Sequence, residues 1–89
     1  MNERAHVTIS GRVQGVGFRY ATIERARSRD VSGWIMNNPD GTVEAVFEGP
    51  RDAVEALVAW CGRGPSGSRV DDVRVEVETP SGEHGFRAV

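Results

Sequence analysis

Lysine is absent from this chain, since all 11 basic residues among its 89 are arginine. Because the chain uses arginine wherever another protein could use lysine, an arginine is not by itself a sign of a binding site. Only its position is informative. The 13 acidic residues leave a formal net charge of −2. Domains that bind nucleic acid or anionic membranes through their overall charge carry a basic excess, so neither partner is expected.

Cysteine and long apolar segments are also scarce. The only cysteine, Cys61, has no second thiol with which to form an internal disulfide, which fits a reducing compartment. There is no secretory signal at the start and no apolar run long enough to cross a bilayer. We therefore expect a cytoplasmic protein, with residues 1–89 forming a single domain around one modest core.

The first part of the chain predicts a strand–helix–strand unit. Residues 6–13 alternate between apolar and polar side chains, as a half-buried strand does. Residues 18–30 have the composition of a helix, although its apolar face is thin. That face comprises Phe18, Ala21, Ile23 and Ala26. Residues 32–38 are apolar enough for a second strand.

A second unit of the same kind follows. The turn Asn38-Pro39-Asp40-Gly41 leads into an alternating strand at residues 42–48. A helix then opens at Pro50, which suits the first helical position, and it carries an apolar stripe. The stripe comprises Val54, Leu57, Val58 and Cys61. A valine-rich strand at residues 73–77 completes the unit, and the pattern leaves open whether residues 86–89 add a short fifth strand.

The order strand, helix, strand, strand, helix, strand is that of ferredoxin-like folds. Right-handed crossovers place both helices on one face of the sheet, and each unit leaves room for another strand between its two parallel strands. We therefore predict an α+β fold, a two-layer α/β sandwich with a mostly antiparallel sheet of four or five strands.

The segment Gly11-Arg12-Val13-Gln14-Gly15-Val16-Gly17-Phe18-Arg19 joins the first strand to the first helix. Glycines let successive backbone N–H groups turn toward one point. The helix N-terminus adds unpaired N–H groups and a positive dipole end. Arg19 supplies a planar fork of donors that matches phosphate oxygens. The segment therefore predicts a site for a small phosphate-bearing group.

This segment resembles the signature of the acylphosphatase family almost position for position. A second block, Gly33-Trp34-Ile35-Met36-Asn37-Asn38 followed by Asp40-Gly41-Thr42-Val43, resembles the family's second signature. The resemblance extends over residues 7–86. It implies hydrolysis of the carboxyl–phosphate anhydride of an acyl phosphate to a carboxylate and inorganic phosphate, with no metal and no cofactor.

The resemblance also implies a role for each site residue. Arg19 would bind and orient the phosphoryl oxygens, and Asn37 would hold the attacking water through its side-chain amide. Backbone N–H groups would bind the phosphate in the loop of Gly15, Val16, Gly17 and Phe18. Asn37 shares a strand face with Ile35, and Asn38 shares one with Trp34. The pattern leaves open which of these faces points toward the helices.

Other residues with reactive or charged side chains are expected to play no part in catalysis. His6 and His84 lie near a terminus and in a loop, Cys61 belongs to a helix stripe, and Arg12 is expected on a solvated strand face. Five further arginines are expected on solvated helix surfaces, namely Arg25, Arg27, Arg29, Arg51 and Arg63. No cluster of His, Cys or Asp has the spacing of metal ligands.

Two other functions remain open at this point. A non-catalytic phosphate- or RNA-binding module could share this fold, but RNA binding needs exposed aromatic residues on the central strands, and only Trp34 lies nearby. Acylphosphatase-like domains also occur within larger carbamoyl-transferring maturation proteins. We expect instead a free-standing monomer whose partners are a small acyl phosphate and the product phosphate. No residue in the sequence identifies the acyl group.

Overall fold

The computed structural model describes residues 1–89. The elements are β1 (Asn2–Arg12), α1 (Phe18–Ser28), β2 (Ser32–Asn37), β3 (Val43–Pro50), α2 (Arg51–Cys61), β4 (Arg69–Glu78) and β5 (Phe86–Ala88). They form one sheet in the order β4-β1-β3-β2-β5, in which β5 runs parallel to β2 and the other neighbours are antiparallel. The predicted ferredoxin-like α+β fold is confirmed, and β5 decides between the predicted four and five strands in favour of five.

Several element boundaries differ from the prediction. β1 begins at Asn2 because Asn2 and Glu3 already pair with β3, and from Arg4 onward the strand pairs on both sides, with Arg4 opposite Glu48 of β3 and Glu78 of β4. α1 ends at Ser28, two residues early. Pro50 is not the first helical residue, since its ψ of 137° is extended, and α2 begins at Arg51.

The core lies between the sheet and the two helices, which pack on the same face and contact each other. Alternate residues of the central strands face this layer, and Phe47 of β3 stacks on Phe86 of β5 with ring centroids 5.6 Å apart. The strand residues of the core are Ala5, Val7, Ile9, Ile35, Val43, Ala45, Phe47 and Phe86. This burial settles that Ile35, and not Trp34, points toward the helices.

The buried face of α1 differs from its prediction. Phe18 and Ala26 are buried as expected, but Ala21 and Ile23 are only half-buried and Thr22 is fully buried between them. The Thr22 hydroxyl donates to the Phe18 carbonyl at 2.7 Å, so a polar side chain fits the core without an unpaired group.

The stripe of α2 is buried at Val54, Leu57 and Cys61, while Val58 is half-buried. Burial raises the pKa of the Cys61 thiol to about 12, so it stays protonated at neutral pH. Cys61 is therefore a core residue, as expected, and lacks the thiolate character of a nucleophile. Both helices have 11 residues, and neither is long and apolar enough to span a membrane.

The sheet face opposite the helices, here called the open face, is crossed by the loop of residues 79–85, which joins the two edge strands β4 and β5. Glu48 of β3 holds this loop by accepting hydrogen bonds from the backbone N–H groups of Ser81, Gly82 and Glu83. The Arg4 guanidinium donates to the same carboxylate at 3.0 Å. We call residues 79–85 the crossing loop.

Candidate active site

The loop between β1 and α1 holds two residues in the left-handed region of backbone conformation. Gly15 has φ 74° and Gly17 has φ 80°, and Gly17 is the N-cap of α1. A side chain at either position would be strained, although a Cβ there would meet no atom within 4 Å. The glycines are therefore required by the path of the backbone, which turns the loop toward the start of the helix.

The backbone N–H groups of residues 15–19 donate to no acceptor within the protein. The first amide of this region to find a partner is that of Ala21, which donates to the Gly17 carbonyl at 3.0 Å. A run of unpaired N–H groups at a helix N-terminus is the arrangement that binds anions in proteins.

The first turn of α1 carries positive charge only. It contains no acidic residue, and Arg19 is exposed with no ion pair or hydrogen bond to another residue. α2 offers the contrast, because Asp52 occupies its first turn, where a carboxylate is favoured by the helix dipole. The N-terminus of α1 therefore leaves its positive potential available to a ligand.

Asn37 is the last residue of β2 and is half-buried. Its Oδ1 is buried and has no hydrogen-bond partner, which is unusual for a buried amide oxygen. The neighbouring Asn38 points the other way and supports the turn, since its amide donates to Thr42 Oγ1 at 3.0 Å and to Glu44 Oε1 at 3.2 Å. The two asparagines thus have different surroundings, and only Asn37 has a side-chain oxygen that is both buried and unpaired.

One cleft of about 380 Å³ brings these groups together. Its lining residues are Val13, Gly15, Gly17, Phe18, Arg19, Tyr20, Ile23, Asn37 and Ala88. Of the site residues expected from the sequence, only Val16 does not line it, because its side chain packs against the core. Its backbone N–H remains one of the unpaired donors.

Gln14 connects the two parts of the site, a role that the sequence did not reveal. Its Nε2 donates to the carbonyls of Asn38 at 2.8 Å and Thr42 at 3.0 Å. These bonds fix the start of the glycine-containing loop to the turn that follows Asn37. The only signal was that Gln14 lies inside the motif, since nothing in its spacing identifies its partners.

Phe18 supports the loop from below. Its ring is buried and lies 5.5 Å from that of Trp60, measured between centroids. A Cβ on Gly64 would come within 2.7 Å of the Phe18 ring, so the loop after α2 can approach this closely only because residue 64 is glycine. The Arg25 guanidinium lies over the Trp60 ring, 4.4 Å from its centroid.

The two histidines lie away from the cleft. His6 is on the open face between the carboxylates of Glu44 and Glu78. Partial burial lowers the pKa of His6, but its hydrogen bonds to these carboxylates outweigh that effect and raise it above the usual 6.5. His84 is exposed in the crossing loop. No three His, Cys, Asp or Glu side chains converge as metal ligands do.

A model of the acylphosphatase family matches residues 5–88 of the chain. The chain belongs to the acylphosphatase family. An acylphosphatase of Nostoc is 58% identical over 83 residues, which cover 93% of this chain and 82% of that protein. An acylphosphatase of Thermococcus kodakarensis is 54% identical over 86 residues, covering 97% and 94% of the two chains.

Solved structures give the same result for the fold. The crystal structure of acylphosphatase from Bacillus subtilis superimposes with a TM-score of 0.94 at 38% identity, covering 100% of this chain and 99% of that one. Full-length HypF, in a phosphate- and nucleotide-bound form, matches all of this chain with 12% of its own length, at a TM-score of 0.92 and 27% identity. The acylphosphatase fold therefore occurs both as a small protein and as part of a larger one.

Proposed function

We propose that this acylphosphatase hydrolyses small acyl phosphates, binding the phosphoryl group at residues 15–19 and the attacking water at Asn37. One observation carries the assignment of these residues: one cleft brings together unpaired backbone donors, a free guanidinium and Asn37, whose amide oxygen has no partner within the protein. The first two recognise a phosphoryl group and the third accepts a hydrogen bond from water.

In this proposal, most of the rate enhancement comes from stabilising negative charge on the phosphoryl oxygens in the transition state. An acyl phosphate already has a good leaving group, so the protein needs to position the reactants and stabilise the equatorial oxygens. The loop N–H groups are fixed by the fold before the substrate binds, and Arg19 is placed beside them at the start of α1. Donors that are already oriented do not have to reorganise during the reaction, which is the main source of electrostatic catalysis.

Asn37 acts by orienting the water. Its Oδ1 accepts a hydrogen bond from one O–H of the water. This bond orients a lone pair of the water oxygen toward phosphorus. The new P–O bond forms as the bond to the acyl oxygen breaks, and the carboxylate leaves with that electron pair. No Asp, Glu or His lines the cleft. The proton released by the water is therefore assigned to a phosphoryl oxygen of the substrate.

The open face offers little support for the alternative of an RNA-binding module. Its strands carry Glu44, Glu48, Glu76 and Glu78 beside Arg4 and Arg74, so the charges are mixed and the face is not the basic surface that RNA binding needs. The one aromatic residue nearby, Trp34, lies on β2 with its ring 5.8 Å from that of His6. We propose no nucleic-acid partner.

The test replaces Asn37 with alanine and measures hydrolysis of benzoyl phosphate in the presence of excess chelator. We expect the wild-type protein to turn over, because Arg19 and the helix N-terminus supply the positive charge. Asn37→Ala should lower kcat by about 10²- to 10³-fold, as loss of one positioned hydrogen-bonding group often does. Its affinity for inorganic phosphate should be nearly unchanged, since the anion-binding donors are intact.

The neighbouring Asn38→Ala is the matched control, because it removes the same amide from the other strand face. It should reduce stability by about 1 kcal/mol through the lost turn bonds but keep kcat within about threefold. Near-normal turnover in a folded Asn37→Ala protein would refute the role of Asn37. Absence of turnover in the wild type would refute the proposed reaction.

A further inference from the structure

The cleft has two chemically different ends. Its polar end consists of the glycine positions, Arg19 and Asn37. Its other lining side chains include Tyr20 and Ile23 of α1 and Ala88 of β5. Tyr20 is 70% exposed and lines the same cleft, so its ring is open to a ligand there. An aromatic side chain beside a site for a phosphoryl group is in a position to contact the rest of the substrate.

Helical spacing explains how these apolar residues come together. Tyr20, Ile23 and Arg27 are separated by three and four residues, so they form one stripe along α1. At the far end of the stripe, Arg27 Nε and Nη2 donate to the Phe86 carbonyl at 3.1 and 3.0 Å. This bond fastens α1 to β5, so the stripe faces that strand.

Backbone pairing places Ala88 on the same side. Ala88 lies opposite Ile35 of β2, and the next residue, Val89, donates its N–H to the Ile35 carbonyl at 3.0 Å. Asn37 lies two residues beyond Ile35 and therefore on the same face of the strand. The apolar residues of α1 and β5 and the amide of β2 are thus walls of one continuous cleft.

We propose that Tyr20, Ile23 and Ala88 form a subsite for the acyl group, and that it prefers aromatic or otherwise apolar acyl phosphates to the acetyl compound. The inference rests on the proposed function, because it assigns the second half of the same substrate. An acyl group attached to a phosphoryl group at residues 15–19 has to leave the polar end. The exposed Tyr20 ring and the Ile23 side chain offer it apolar contact.

The charges of the cleft favour the same class of substrate. Arg19 is the only charged residue that lines the cleft, and in the proposed function it pairs with the phosphoryl group. A carboxylate on the acyl group would find no second cation among the lining residues, and an ammonium group would find no anion. An uncharged acyl group gains contact area without leaving a charged group unpaired.

The experiment compares two pairs of ligands on the intact chain. Acetyl and benzoyl phosphate report turnover, and their unreactive analogues, (2-oxopropyl)phosphonate and phenacylphosphonate, report binding by calorimetry. We expect phenacylphosphonate to bind the wild type more tightly. Tyr20→Ala should weaken it about fivefold, the effect of losing about 40 Å² of apolar contact. Binding of (2-oxopropyl)phosphonate and of inorganic phosphate should change less than about twofold.

Two variants control for unrelated effects. Tyr20→Phe keeps the ring and should preserve the preference, which separates contact area from any role of the hydroxyl. Val77→Ala removes an exposed apolar side chain from β4, outside the cleft, and should leave both affinities unchanged. In kinetics, Tyr20→Ala should raise KM for benzoyl phosphate by a larger factor than KM for acetyl phosphate.

The outcomes separate this inference from the proposed function. Equal wild-type affinity for the two phosphonates, or equal losses for both in Tyr20→Ala, would refute the subsite whatever the turnover. A clear preference for phenacylphosphonate that depends on Tyr20 would establish the subsite. If that preference came without hydrolysis of either acyl phosphate, the proposed reaction would be wrong and the subsite would still stand.

Discussion

At the scale of single residues, Arg19 differs from the other arginines of the chain by its position. A cation in the first turn of a helix opposes the dipole and costs a few tenths of a kcal/mol to about 1 kcal/mol. Arg51 offsets its charge against Glu55, at 2.9 Å, whereas Arg19 has no such partner. Binding of an anion would remove this unfavourable term, so phosphate should stabilise the folded protein.

We predict that Arg19→Ala abolishes most of that stabilisation while leaving the phosphate-free protein as stable as the wild type or slightly more so. Thermal unfolding with and without inorganic phosphate measures both effects, and calorimetry gives the affinity. Arg19→Lys should fall between the two proteins, because lysine keeps the charge but loses the planar fork. Arg12→Ala, an exposed arginine of the same motif, is the control. Unchanged phosphate affinity in Arg19→Ala would contradict the role of Arg19.

At the scale of the elements, β5 is the weakest part of the sheet. It has three residues and pairs on one side only, with β2. Two features hold it in place: the buried Phe86 ring, and the Arg27 guanidinium bonded to the Phe86 carbonyl. The sequence predicted Arg27 as a solvated helix residue, and it is exposed, but the prediction did not include the bond from its guanidinium to this carbonyl. The spacing of a helix reveals a stripe but not a carbonyl partner almost 60 residues away.

We predict that Arg27→Ala loosens β5 without unfolding the rest. The free energy of unfolding should fall by about 1 kcal/mol, the net value of an ordinary hydrogen bond. The Val89 amide, which pairs with Ile35, should exchange its hydrogen faster, while amides of β1 and β3 keep their protection. Hydrogen exchange measured by NMR tests this directly. The Arg29→Ala variant, from the same helix, should change neither quantity, and equal protection of Val89 in Arg27→Ala would contradict the anchoring role.

Each sequence pattern predicts only the kind of structure that produces it. Alternation has a period of two, so it placed Asn37 and Ile35 on one strand face but could not say which face was buried. Burial of Ile35 decided that. The burial of Thr22 was not predicted, because the apolar pattern counts threonine as polar. Its hydroxyl is buried without cost since it donates to a carbonyl four residues earlier. The loop of residues 15–19 was predicted as the phosphate site because its glycines and arginine form a contiguous motif, whereas the role of Gln14 depends on a distant turn.

At the scale of the whole molecule, Glu48 joins the crossing loop to the centre of the sheet. Burial alone would raise the pKa of this carboxyl, but hydrogen bonds from the Ser81 amide, Arg4 and the next two loop amides outweigh it. They lower the pKa from 4.5 to about 2. Folding therefore favours the ionised form. Its stabilising contribution is complete above the unfolded value of 4.5 and is lost as the pH falls toward 2.

We predict that Glu48→Gln lowers the free energy of unfolding by about 2 kcal/mol at neutral pH, because charge-assisted hydrogen bonds are replaced by weaker ones. The difference from the wild type should shrink as the pH drops from 4.5 to about 2, where the wild-type carboxyl also becomes neutral. Urea unfolding across this range measures it. Glu55→Gln, an exposed carboxylate paired with Arg51, should cost less than about 0.5 kcal/mol. An acid dependence that is the same in Glu48→Gln and the wild type would refute the role of Glu48.

The strand order also determines when the site can form as the chain emerges from the ribosome. Only β2 and β3 are neighbours both in the sheet and along the chain, so the central strand β1 has no partner until β3 has been made. The loop of residues 15–19, the proposed phosphate site, is synthesised early, yet the glycine against which Phe18 packs is at position 64 and Ala88 comes later still. Contacts between residues that lie far apart in the sequence slow folding. A nascent chain would therefore gain phosphate affinity only near the end of its synthesis.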